Sequence, residues 1–116
     1  MNSTQVILAL CCVLAISIGQ ILFKKTGLLV ALHDSWLHSH VILTLGIAGV
    51  IYGSATILWI YLLKDAPLSK AYMLTAVSFI AVPIASIFMF NESVNFTFYL
   101  GATIIITGII IILKFS

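Results

Sequence analysis

Residues 41–63 read VILTLGIAGVIYGSATILWIYLL, an apolar run without a charged side chain. A helix needs about 20 apolar residues to cross the roughly 30 Å hydrocarbon core of a bilayer. Three similar runs occur at 4–23, 71–90 and 96–113. Helices of soluble proteins carry a polar stripe every three or four residues, and these runs show no such regular stripe. The sequence therefore predicts an all-α membrane protein, a bundle of four transmembrane helices.

The composition agrees with this fold class. The 116 residues are 63% hydrophobic and 7% charged, whereas roughly 25% of the residues in a soluble domain are charged. We expect one four-helix domain over 1–116, with no room for an extramembrane catalytic domain, and hence a transporter rather than an enzyme. The net charge of +2 is too small for a nucleic-acid face.

Neither the cysteines nor the histidines suggest a metal or a cofactor. Cys11 and Cys12 are adjacent inside an apolar run, where we interpret them as small packing residues. The spacing of His33, His38 and His40 does not match a helical pair of metal ligands. We expect no bound metal and no cofactor.

The lysines favour one orientation. Lys64, Lys70 and Lys114 lie on the face that holds both termini, and Lys24 and Lys25 lie on the other. Because cytoplasmic loops carry the excess of Lys, both termini are expected in the cytoplasm, although insertion in both orientations remains an alternative. Residues 26–32 are again apolar, so the first helix is able to continue past Lys24, placing this lysine at the membrane boundary.

A polar stripe follows the first run, since Ser17, Gln20 and Lys24 are spaced three and four residues apart and share a helical face. Two interpretations remain open. The stripe either makes interhelical hydrogen bonds beside a snorkelling lysine, or lines a path for a polar head group. Lys24 and Lys25 suit an anionic phosphate, and Gln20 can donate to and accept from sugar hydroxyls. Tyr52 and Tyr72 are candidates to face inward.

Acidic residues are absent from the four runs, because Asp34, Asp65 and Glu92 all lie outside them. A proton antiporter needs a site whose protonation competes with substrate, usually an acid with a pKa raised by burial. We therefore predict uncoupled, facilitated transport. Glu92 is the candidate coupling residue that could overturn this prediction, because it lies two residues after the end of the third run.

Four helices are few for a pathway between helices, so we expect a dimer. Small residues that allow close helix approach occur at Gly101 and Gly108 in the fourth run. A second set, Gly46, Gly49 and Gly53, lies in the second run. For this second set, packing within one chain and packing between chains are both open.

Several short motifs occur in a specific order: Ser17-Ile-Gly-Gln-Ile-Leu-Phe-Lys24, Leu58-Trp59, Pro67, Ala71-Tyr72, Asn91-Glu92-Ser93-Val94, and Gly101 with Gly108. Over nearly the whole chain, they resemble the four-helix small multidrug resistance proteins and their EamA-like relatives in the drug/metabolite transporter superfamily. Within that group, the chain is most similar to the paired small subunits that flip aminoarabinose-phosphoundecaprenol across the bacterial inner membrane. Each motif is weak alone, and their order makes the resemblance specific.

The chain departs from the multidrug exporters at two positions. Their membrane-embedded glutamate would fall at Ile16. Their glycine hinge falls at residues 77–78, which are Val77 and Ser78 in this chain. Both departures disfavour a proton-coupled exporter of cationic drugs.

The resemblance implies a flippase, or a flippase subunit, for a polyprenyl-phosphate-linked sugar in the inner membrane of a bacterium. Lys24 and Lys25 would hold the phosphate, and the sugar would be contacted by Gln20, Ser17, Tyr72 and Ser78. The expected partners are membrane lipid, a second copy or a similar small subunit joined through Gly101 and Gly108, and a membrane glycosyltransferase that uses the flipped lipid. Two alternatives stay open: a small-molecule exporter, and an accessory subunit of a glycosyltransferase.

Overall fold

A computed structural model describes residues 2–115, and within them the secondary structure is helical. The helices are α1 (Ser3–His33), α2 (Ser39–Leu63), α3 (Leu68–Leu74), α4 (Ser78–Phe90) and α5 (Phe96–Phe115). A 3-10 turn, Thr75–Val77, joins α3 to α4, so that Leu68–Phe90 forms one span, called the third span below. Together with α1, α2 and α5 it makes four helices that are long and apolar enough to cross a membrane. This confirms the predicted fold class.

The first helix is longer than its apolar run. At its start, the Asn2 side chain accepts a hydrogen bond from the Gln5 backbone N–H at 2.8 Å, and the Gln5 side chain accepts one from the Asn2 N–H at 3.1 Å. This reciprocal cap satisfies N–H groups that a helix start leaves free. The helix then continues through both lysines to His33, and Asp34, with φ of 48°, ends it in a left-handed conformation. The first linker is therefore short.

The helices contact one another in the order α2, α1, third span, α5. The described chain measures 49 × 38 × 17 Å along its principal axes, which is a flat shape. Since α2 and α5 lie at opposite ends of this row, the helices of one chain do not surround a path.

The helices are tightly packed at one end of their length, where α1 begins and α2 ends. Ala9 of α1, Leu62 of α2, Ala66 of the following linker, and Ala71 and Leu74 of α3 form a buried cluster. Small alanines let the three segments approach closely, which is how helices gain contact inside a membrane. We call this cluster the packed end.

The helix ends of the third span and of α5 follow local rules. Pro67 is the N-cap of α3, where its missing N–H removes no helical bond. Pro83 lies inside α4, and the irregular turn of this span is found earlier, at Thr75–Val77. The cap of α5 is Asn95, whose side chain accepts from the Phe98 N–H at 3.0 Å. Ser93 does not make this bond, because it lies too far before the helix start.

Candidate functional site

The first element of the site is a contact between α1 and α2. The Gln20 Nε2 donates a hydrogen bond of 2.6 Å to the Tyr52 hydroxyl. The Tyr52 ring fills the space that a Cβ on Gly19 would need. It also stacks on Phe23, with 5.0 Å between the ring centroids and 18° between the planes. Glycine at position 19 is therefore required for the ring to reach Gln20.

The second element is an ion pair one helical turn beyond Gln20. The Lys24 Nζ lies 3.9 Å from the Glu92 Oε2, and the two side chains are 49% and 44% exposed. Exposed ion pairs contribute about 0–1 kcal/mol. The pair is therefore weak enough to open when a ligand offers either group a better partner. We call Gln20, Tyr52, Lys24 and Glu92 the polar cluster.

Glu92 reaches α1 because of the turn that ends α4. Asn91 has φ of 54°, a left-handed conformation that reverses the chain after Phe90. Asparagine tolerates this conformation better than most residues. The sequence identified Lys24 and Glu92 separately, for a phosphate and for proton coupling, and gave no sign that they pair.

The position of Lys24 along α1 places the ion pair near one membrane boundary, whereas the Gln20–Tyr52 pair lies deeper, with Tyr52 at the middle of α2. A helix rises about 1.5 Å per residue, so Lys24 lies about 31 Å from Ser3, close to the thickness of the hydrocarbon core. The packed end lies toward the opposite boundary. Beyond Lys24, α1 continues for about 14 Å to His33.

The two predicted serines use their hydroxyl donors within their own segments. Ser17 is 6% exposed, and its hydroxyl donates to the Val13 carbonyl at 2.7 Å. Ser78 donates to the Thr75 carbonyl at 2.6 Å. Each oxygen keeps lone pairs that can accept a hydrogen bond. A role for either serine in holding a sugar stays a prediction.

Tyr72 and Lys25 do not belong to the polar cluster. Tyr72 is 62% exposed and adjoins the buried Ala71 of the packed end. Gln20 lies about 16 Å further along α1 than Ala9 of that end. Lys25 is exposed and points about 100° away from Lys24 around the helix. Their predicted contacts with substrate also stay predictions.

Tyr52 is the member of the cluster that sequence reasoning did not select. The sequence indicated Tyr52 and Tyr72 as two tyrosines that could face inward, and identified no contacting residue that would favour one of them. The signal that could have found it is Gly19, a residue without a side chain next to the polar stripe, since a close aromatic neighbour needs such a gap.

The glycines of α2 and α5 face away from the rest of the chain. A Cβ built on Gly101 or Gly108 meets nothing within 4 Å, and the same holds for Gly46, Gly49 and Gly53. The α2 glycines therefore do not pack helices within one chain, which was one of the two interpretations. None of the described residues of α5 is buried.

The three histidines come together at the tip of the hairpin formed by α1 and α2. The rings of His33 and His38 stack with 3.5 Å between centroids, and His38 and His40 lie 5.2 Å apart. Among residues 2–115, no group of three or more His, Cys, Asp or Glu side chains is arranged to hold a metal ion.

Four apolar spans with a polar cluster between them are typical of a multi-pass membrane transporter. The EamA-like transporter family matches residues 1–114, and the chain belongs to this family.

The chain is also similar to curated proteins. Proteins of Escherichia coli O139:H28, E. coli K12 (DH10B) and Shigella boydii serotype 18 are each 31% identical over 94 residues, covering 81% of this chain and 83% of the relative. Each is named "Probable 4-amino-4-deoxy-L-arabinose-phosphoundecaprenol flippase subunit ArnE". These findings confirm the resemblance seen in the sequence. No solved structure matches the chain.

Proposed function

We propose that this chain is a flippase, or a flippase subunit, that moves a polyprenyl-phosphate-linked sugar across the inner membrane of a bacterium. The observation that carries the proposal is the polar cluster, in which Lys24 and the Gln20–Tyr52 pair follow one face of α1 between apolar helices. A lysine suits a phosphate, and an amide and a phenol suit sugar hydroxyls. The likeness to subunits named for an amino-sugar phosphoundecaprenol supports the substrate class.

The path requires a second subunit, either another copy or a similar small protein. The row of helices leaves α5 without buried residues, and Gly101 and Gly108 face outward. Two rows facing each other would enclose a groove for the head group, while the lipid tail stays in the bilayer. If α5 forms this contact, Gly108→Leu weakens association in a bilayer, because a side chain blocks close approach.

Transport in this proposal is uncoupled. The acids lie outside the apolar runs, and Glu92 is half-exposed and paired with Lys24. The lipid gradient would provide the driving force, as a membrane glycosyltransferase consumes the lipid on the far side. With both termini in the cytoplasm, the polar cluster lies toward the outer leaflet. Under this proposal, a pH gradient across a liposome does not change the final distribution of the lipid.

The experiment uses a host strain in which the chain is deleted and replaced by wild type, Lys24→Ala or Lys24→Arg. An impermeant reagent that modifies the sugar reports how much lipid-linked sugar faces outward in sealed vesicles. We expect Lys24→Ala to abolish the outward pool and Lys24→Arg to retain part of it, because arginine keeps the charge but changes its shape. Lys114→Ala, at the opposite end of the chain, is the matched control. Normal outward display in Lys24→Ala, at equal protein abundance, would sink the phosphate role.

A further inference from the structure

The ion pair between Lys24 and Glu92 restricts what the polar cluster can bind. In the structure, the positive charge of Lys24 is already matched by a carboxylate 3.9 Å away. A head group that carries only a negative charge would approach Lys24 and Glu92 together. Attraction to the lysine would then be offset by repulsion from the carboxylate, since like charges at this separation oppose binding.

A head group with both charges meets no such conflict. Its phosphate replaces Glu92 beside Lys24, and its ammonium replaces Lys24 beside Glu92. One weak ion pair is exchanged for two charge-assisted contacts, so that no charge in the site is left without a partner. Both side chains are about half-exposed, which leaves them free to separate without breaking a packed core.

We propose that Lys24 and Glu92 together form a site for a zwitterionic lipid head group, in which Lys24 binds the phosphate and Glu92 binds an ammonium group. The inference rests on the proposed function and deepens it: an amino sugar is already part of the relatives' name, and the new element is that Glu92 is the residue that binds the amine. Glu92 is then the residue that determines specificity, instead of a proton-coupling residue.

The same pair of charges occurs in two kinds of lipid: a polyprenyl phosphate bearing an amino sugar, and phosphatidylethanolamine. The neighbouring groups favour the amino sugar. Gln20 and Tyr52 lie one turn below Lys24 and are joined by a 2.6 Å hydrogen bond. Together they retain further donors and acceptors for hydroxyl groups. A sugar ring provides those hydroxyls, whereas ethanolamine has none.

The test measures flipping in proteoliposomes made with the purified native assembly. Three lipids are compared: a polyprenyl phosphate with an amino sugar, the same lipid with its amine acetylated, and phosphatidylethanolamine. Acetylation removes the positive charge and leaves the phosphate and the sugar in place. We expect the amino-sugar lipid to flip about tenfold faster than its acetylated form, the factor typical of one charged hydrogen bond. In Glu92→Gln this ratio should fall to about one, and Glu92→Asp should keep part of it.

A swapped variant separates a binding role from a structural one. Lys24→Glu combined with Glu92→Lys restores the ion pair with its charges exchanged. If the pair only holds the linker against α1, the swap recovers flipping and overturns the inference. If Lys24 must face the phosphate and Glu92 the ammonium of a head group that the lipid tail holds in one orientation, the swapped variant stays inactive.

The remaining outcomes are distinct. Equal flipping of the amino-sugar lipid and its acetylated form by wild type would overturn the zwitterion site and leave the proposed function intact. Absence of flipping for both would overturn the proposed function as well. Flipping of phosphatidylethanolamine alone, lost in Glu92→Gln, would support the zwitterion site and overturn the choice of the amino sugar.

Discussion

At the packed end, Ala9 and Leu62 are 0% and 2% exposed, whereas Lys24 and Glu92 in the polar cluster have side chains that are 49% and 44% exposed. Both regions use α1, and they differ in what joins it to its neighbours. At the packed end, small apolar residues keep the helices in close contact, and these packing contacts would be lost together if the helices separated. The Gln20–Tyr52 and Lys24–Glu92 contacts of the polar cluster are polar and can exchange with a ligand, although α1 and α2 stay packed beside them through the buried Thr26, Val41 and Ala48. The difference distinguishes a region that holds the helices together from one whose side chains are available to a ligand.

The largest expected effect follows a side chain added at Gly19. Gly19→Val displaces the Tyr52 ring, because the ring fills the space of the new Cβ. The Gln20–Tyr52 hydrogen bond and the Phe23 stack are both lost with it. We expect flipping to fall by more than about tenfold, since a buried contact and a polar contact disappear together. Gly27→Val, on the same helix with nothing within 4 Å of its Cβ, is the control and should keep wild-type flipping. Equal activity of both variants would remove Tyr52 from the site.

The packed end should respond to substitution in stability rather than in transport. Leu74 is 1% exposed in the cluster with Ala9 and Leu62. Leu74→Ala leaves a cavity there, and we expect a loss of about 2 kcal/mol in the free energy of unfolding in detergent, the lower part of the usual range. Ile110→Ala, at a position that is 54% exposed on α5, should cost much less. Flipping per folded molecule should be unchanged in both variants. A large loss of flipping per folded molecule in Leu74→Ala alone would show that the packed end and the polar cluster are coupled.

A smaller effect is expected from removing one hydroxyl. Tyr52→Phe keeps the stack on Phe23 and leaves the Gln20 amide without its 2.6 Å partner. A single hydrogen bond contributes about 1 kcal/mol, so flipping should fall by about fivefold. Tyr61→Phe is a matched control, because Tyr61 is 59% exposed and lies at the other end of α2. An unchanged rate in Tyr52→Phe would assign Tyr52 to packing alone.

The smallest effect concerns pH at the hairpin tip, outside both regions. Partial burial, and then the nearby charges of His33 and His40, lower the pKa of His38. The His38 Nδ1 accepts the His40 N–H at 3.2 Å at the start of α2, which requires a neutral ring. The stabilising contribution is therefore complete above about pH 6.5 and declines as the pH falls, because the unfolded chain binds the proton first.

Hydrogen exchange measures this effect. Protection of the amides at the start of α2 should decrease below about pH 6.5, while protection at the packed end stays constant. His38→Asn, a residue that caps helices at any pH, should remove the dependence. If His38→Asn loses protection at low pH as the wild type does, the pH dependence belongs to Asp34 or to the other two histidines.

Charge and hydropathy were sufficient to predict four spans, because a bilayer demands long apolar helices and leaves few alternatives. The extent of α1 was less certain, since a lysine can end a helix at the boundary or lie within one. Asn95 rather than the nearby Ser93 caps α5, because two polar residues in one short turn compete and only the backbone path decides between them. Such ambiguities lie at helix ends, where local patterns are weakest.

By itself, the sequence determined the all-α membrane class, the polar stripe with Gln20 and Lys24, and the family, since each depends on residue type and spacing along the chain. The tertiary structure alone decided that Tyr52 meets Gly19 and Gln20, that Glu92 pairs with Lys24, and that Tyr72 lies toward the other end. These contacts join residues distant in sequence. They depend on which helix faces are adjacent and on the left-handed turn at Asn91, and neither is encoded in the period of a single helix.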